Sequence, residues 1–135
     1  MASRLNPYVN FPGTARQAME FYEGVFGGTL TSHTFSEFGG PDPALADKIM
    51  HAMLETPAGF TLMASDLAPG MPHNPGNNVT ISLSGDDAGA LRGYWDKLSD
   101  GGTVQMPLAK QAWGDEFGAL QDKFGVPWLV NITQG

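Results

Sequence analysis

The chain has 135 residues, 41% of them hydrophobic, and carries a formal net charge of −7. That is the size of one domain with enough apolar material for a core. Only seven Lys and Arg are present, too few for the clustered cations that a nucleic-acid backbone or an anionic membrane surface requires. With no cysteine, disulfides and thiolate metal sites are excluded. The N-terminus lacks the apolar core of a signal peptide, and no window approaches the roughly 20 apolar residues of a membrane span. A cytoplasmic protein is the simplest expectation.

The first element is "NPYVNF" from Asn6, which alternates: Pro7, Val9 and Phe11 mark one face, Asn6, Tyr8 and Asn10 the other. This is the pattern of a half-buried strand. "TARQAMEFYEGVFGG" follows with helical spacing, Thr14 as the expected N-cap and Ala18, Phe21, Tyr22 and Val25 as the apolar stripe. Its Gly-Gly suits a left-handed C-terminal cap and leads into strand candidates at 29–38, 48–55 and 60–65. By propensity "ALADKIMHAMLE" is helical; 48–55 is assigned to a strand because of what comes next, with a helical turn left to the preceding "PDPALAD".

The pattern then recurs. "NVTISL" from Asn78 repeats "NPYVNF" at an offset of 72, with Val79, Ile81 and Leu83 opposed to Asn78, Thr80 and Ser82. A second helix, capped by Asp86 or Asp87, carries Leu91, Tyr94, Trp95 and Leu98. It also ends in Gly-Gly and leads to strand candidates at 103–108, 116–122 and 128–133. The unit reads β-α-β-β-β twice, over 5–66 and 77–133, within a single domain.

Tandem βαβββ repeats over the stretches "NPYVNF", "AMEFYEGVFGG", "DKIMHAMLE", "LMASD", "PGMPH" and "WGDEFGALQDKFGVPWLVN" resemble the PhnB-like proteins of the glyoxalase/bleomycin-resistance/dioxygenase (vicinal oxygen chelate) superfamily. The resemblance implies an α+β fold in which tandem repeats form a curled mixed sheet around a cavity. Apolar strand faces would lie under the helices, and Asn6, Tyr8, Asn78 and Thr80 would line the cavity. It also implies a homodimer, which the sheet edges would favour. Some relatives carry the name demethylubiquinone methyltransferase. This sequence has no Gly-rich dinucleotide-type loop after its first strand and is short for such an enzyme.

Metal-dependent members of the superfamily hold a divalent ion with His, Glu or Gln on the first and last strands of each repeat. Carried over by strand and alternation, these positions fall on Asn6, Met63, Asn78 and Leu129. None is an imidazole or carboxylate, the groups such ions prefer, so no metal cofactor is expected. Other donors are His33, His51, Glu55, Asp66, His73, Asp115 and Glu116. His33 reads as an exposed strand or loop residue, and His73 as part of the loop joining the repeats. On a strand, His51 shares a face with Ile49, Met53 and Glu55. It reads either as a hydrogen-bonded wall residue or as a group touching a ligand, with a metal role the narrower option. Trp113 and Phe117 in "WGDEFG" read as rim packing or as an aromatic wall; Trp128 reads as core.

The expected small-molecule pocket comprises Asn6, Tyr8, His51, Met63, Asn78, Thr80, Trp113 and Phe117, with His51 the best candidate for any catalytic role. The alternative is a metal-dependent lyase, isomerase or dioxygenase acting on a small oxygenated substrate. Motifs for a nucleophile elbow, a phosphate loop and H-E-x-x-H are absent.

Overall fold

The computed structural model describes residues 3–39, 43–68 and 70–134. The chain divides into two compact units, Met1–Pro75 and Gly76–Gly135. In the first, β1 (Tyr8–Phe11), α1 (Ala15–Phe26), β2 (Thr29–Thr34), β3 (Ile49–Glu55) and β4 (Thr61–Asp66) build a four-stranded sheet of order β1-β4-β3-β2. In the second, β5 (Ile81–Gly85), α2 (Ala88–Ser99), β6 (Thr103–Lys110), β7 (Glu116–Gln121) and β8 (Pro127–Ile132) repeat it as β5-β8-β7-β6. The outer pairs β1–β4 and β5–β8 are parallel and the others antiparallel. This is the expected α+β, tandem βαβββ architecture. No helix among the described residues is long and apolar enough to cross a membrane.

Each helix lies against one face of its own sheet. Ala18, Met19, Tyr22 and Val25 of α1 are buried, as are Phe11, Ala52, Leu54, Leu62 and Ala64 on the strands. In the second unit Leu91, Trp95 and Leu98 of α2 are buried together with Leu83, Leu120, Trp128 and Val130. Phe21 and Tyr94, expected in the stripes, are only half-buried. Burial of such side chains contributes about 1.5–3 kcal/mol each.

The two helices begin differently. Thr14 stands at the N-cap of α1, but its side chain makes no capping bond. The carboxylate of Asp66, at the end of β4, takes over. Its Oδ1 accepts from Ala15 N at 2.9 Å and its Oδ2 from Ile49 N at 2.9 Å. Asp66 thus joins the start of α1 to the start of β3, and a buried charge is satisfied by two backbone donors. For α2 the cap is local: Ala90 N donates to Asp87 Oδ1 at 3.1 Å.

Several sequence expectations change. The first and fifth strands begin at Tyr8 and Ile81, leaving Asn6, Asn78 and Thr80 ahead of them. Val79, expected in the core, is 72% exposed. Proline gives Pro7 no N–H to donate, although its carbonyl still accepts from Met63 N. The strand expected over 29–38 stops at Thr34 and becomes a 3₁₀ turn, Ser36–Phe38. The turn expected before β3 is the 3₁₀ segment Pro43–Leu45; Pro41 and Asp42 lie outside the described residues.

The largest correction concerns Ile49. It was expected to share a face with His51, but it is fully buried. A register irregularity between His33 and Thr34 pairs His33 with His51 and Thr34 with Ile49. Met50 is skipped, so the alternation changes phase at that point.

Gly28 shows why a Gly-Gly pair follows the first helix. Its φ is +103°, and a Cβ there would sit 2.1 Å from Glu55 O. Gly102 holds the matching place against Gln121 O, at 2.4 Å. Only glycine lets β2 and β6 start so close to their neighbours.

Candidate functional site

Residues paired across a ladder project from the same face, so register defines the face that each sheet turns away from its helix. In the first unit one row runs Tyr8–Met63–Met53–Thr31. Beside it, Asn10 pairs with Ser65, and Ser65 Oγ donates to Asn10 Oδ1 at 3.1 Å. His51 pairs with His33, and its ring lies 5.9 Å from that of Tyr8 at an interplanar angle of 54°. The result is a floor of one phenol and two thioethers, bordered by an amide, a hydroxyl and imidazoles. Met53, Met63 and His51 are half-buried, and Tyr8 is 47% exposed.

In the second unit the matching rows are Ser82–Leu129–Ala119–Met106 and Ser84–Asn131–Phe117–Ala109. Trp113 stands in the turn between β6 and β7, 63% exposed, with its ring 6.2 Å from that of Phe117 in an edge arrangement. The turn is held by Gln111 N to Asp115 O and Gly114 N to Gln111 O. Asp115 accepts from Asn131 Nδ2 at 3.1 Å.

The expected site residues therefore separate. Tyr8, His51 and Met63 come together on the first sheet, and Trp113 and Phe117 meet in the second unit. Asn6 is half-buried just before β1, whereas Asn78 and Thr80 are exposed and lie outside β5. His51 and Glu55 do share a face but lie four residues, or about 13 Å, apart along β3. Glu55 is exposed, as a solvated carboxylate should be. Asp66 is structural, Glu116 pairs with Arg92, and His73 lies exposed in the linker. Trp128 is core: it is 2% exposed, and its Nε1 donates to the buried Asp122.

Asn10, Met53 and Ser65, not among the expected residues, are placed beside Tyr8, His51 and Met63 by the alternation of β1, β3 and β4. The pairing of His33 with His51 likewise goes beyond the expectation for either residue. His33 Nδ1 lies 3.5 Å from Glu37 Oε1. The Glu37 carboxyl is held below its ordinary value of 4.5 by the Thr34 backbone N–H, then by the Thr34 hydroxyl and by His33.

The equivalent positions of the two β4/β8 strands hold Met63 and Leu129, paired with Tyr8 and Ser82. A thioether, an alkyl group, a phenol and a hydroxyl do not make a donor set for a divalent ion. Among the described residues no group of three or more His, Cys, Asp and Glu is placed to hold one. The metal implied by the superfamily does not fit these positions.

The sequence model of the Glyoxalase/Bleomycin resistance protein/Dioxygenase superfamily matches residues 4–130. The chain belongs to this superfamily. It is 29% identical to the protein YjdN of Escherichia coli K12, over 96% of this chain and 95% of that one. The crystal structure of protein PA1353 from Pseudomonas aeruginosa superposes with a TM-score of 0.88 at 38% identity, covering 99% of this chain and all of that one. A PhnB protein from Bacillus cereus, described as a putative 3-demethylubiquinone-9 3-methyltransferase, shares the fold. Its TM-score is 0.74 at 22% identity, with 97% of this chain and all of that one covered.

Proposed function

We propose that this superfamily member is PhnB-like and binds a small, partly apolar organic molecule on the exposed face of its first sheet, without a divalent metal. The observation that carries this reading is the Tyr8–Met63–Met53 floor with His51 set against Tyr8 and the Asn10–Ser65 pair at its border. Thioethers adapt to varied ligand shapes, and a few placed polar groups orient a ligand on an apolar floor. The absence of donors at Met63 and Leu129 supports binding that does not route through a metal.

The test is fluorescence titration with anilinonaphthalene sulfonate, followed by displacement with a panel of small aromatic and aliphatic compounds, with and without EDTA. Displacing compounds are expected to bind about tenfold more weakly to Tyr8→Ala, as loss of an aromatic contact implies. His51→Ala is expected to weaken them as well, and EDTA to change nothing. Binding that vanishes in EDTA, or that ignores both substitutions, overturns the proposal.

We further propose that the chain acts as a homodimer. In support, β6 lies at a sheet edge and exposes Val104 and Met106, surface that a second copy would cover. Sedimentation should show a dimer that Met106→Lys weakens; a monomer at every concentration rejects it.

A further inference from the structure

We propose that His33 and His51 form a two-imidazole site for a late first-row divalent metal ion, Cu²⁺ above all, on β2 and β3. The site is separate from the strands where metal-dependent superfamily members hold theirs.

His33 and His51 are register partners on adjacent antiparallel strands. Directly opposed residues have Cβ atoms about 4.5–5.5 Å apart and project from one face, which is within reach of a single ion for two imidazoles. Each ring has a loose aromatic neighbour, and His33 has the Glu37 carboxylate besides. His51 lies 5.9 Å from Tyr8, and His33 lies 5.5 Å from Phe38, edge to face. With His33 Nδ1 kept on Glu37, its Nε2 is the atom left to ligate, and turning both rings toward one ion costs only the ring contacts.

Glu37 supplies the second argument. Its carboxylate sits 3.5 Å from His33 Nδ1 and is itself fixed by the backbone N–H and hydroxyl of Thr34. A carboxylate on one ring nitrogen sets the tautomer that leaves the other free to ligate, the usual support behind a metal-bound histidine. The irregularity in the ladder falls immediately after His33, and such bulges re-aim side chains.

The third argument comes from the sister unit. The pair equivalent to His33–His51 there is Ala109–Phe117. The fold therefore has no need of imidazoles at this place. With no third donor in position, water completes the coordination. Two neutral nitrogens then favour Cu²⁺ over Ni²⁺ and Zn²⁺.

The experiment is titration of the full chain with Cu²⁺ alone, read by electron paramagnetic resonance and calorimetry. The substitutions, His33→Ala and His51→Phe, are those the same topology carries in the sister unit. The wild type is expected to bind one ion with coupling to two imidazole nitrogens. Each variant should lose one nitrogen and at least about tenfold in affinity, and Glu37→Gln about tenfold through lost orientation. His73→Ala, in the linker, should change nothing. A spectrum without two-nitrogen coupling, or one kept in His33→Ala or His51→Phe, or one lost in His73→Ala, overturns the proposal. The site does not rest on the organic-ligand reading: EDTA strips this metal, whereas the displacement assay is expected to ignore EDTA.

Discussion

The two units share one topology and solve the same local problems with different residues. The first caps its helix from a distance, by Asp66 on β4; the second caps its helix from the preceding residue, Asp87. The position that holds Asp66 in the first unit is held in the second by Ile132, which is buried and apolar. Freed of a capping duty, that strand end can be hydrophobic. Below the helices, the first unit has Ala52 where the second has Gly118, and Gly118 is the place where the Trp95 ring comes down on the sheet. On the opposite faces His51 is matched by Phe117 and Tyr8 by Ser82. The fold fixes where side chains go, and each unit fills those places for its own use.

Substitutions can test this contrast. Asp66→Ala should have the largest effect. It strands two buried backbone N–H groups, at Ala15 and Ile49, and a loss of about 3 kcal/mol in urea unfolding is expected; a loss below that of Asp87→Ala would break the comparison.

Gly118→Ala comes next. The new Cβ would lie 2.7 Å from Trp95 Cη2 and 2.8 Å from Leu108 Cα, an overpacking cost of about 2 kcal/mol. Adding Trp95→Tyr, which copies Tyr22 of the first unit, should recover part of this and leave the Leu108 clash. No recovery at all would mean that the ring contact is unimportant.

Asp87→Ala should cost about 1 kcal/mol, the ordinary value of a local cap. The smallest effect belongs to Glu37, which is exposed. Its carboxyl is held low in the folded chain, so its contribution is present above the unfolded value and fades as pH falls through the folded one. Glu37→Gln should therefore lower the melting temperature slightly at neutral pH, and the difference from the wild type should fade on the acid side of pH 4.5.

Much of the fold was legible because strand alternation and helical stripes survive in sequence, and because both units place glycine where backbones nearly touch. The details of the site were less legible. Matching Asn6 to Asn78 sets the repeat at 72, but the ladders match Phe11, paired with Asp66, to Gly85, paired with Ile132, an offset of 74 between the first strands. A slip of two keeps every side chain on its face and moves it along by one row, so alternation cannot detect it. That slip put Asn78 and Thr80 into a strand they precede. The bulge at Met50 was equally hidden, since nothing in "KIMHA" marks the skipped residue. Asp66 read as a possible ligand because its partners are backbone groups 51 and 17 residues away.

The long reach of Asp66 also bears on the order in which the chain acquires its structure. During synthesis Ala15 leaves the ribosome well before the carboxylate 51 residues later that will hold it. Helix α2 carries its cap with it, so that bond needs nothing beyond its own first turn. Helix α1, though made first, gains this cap only after a long loop has closed and β4 has arrived.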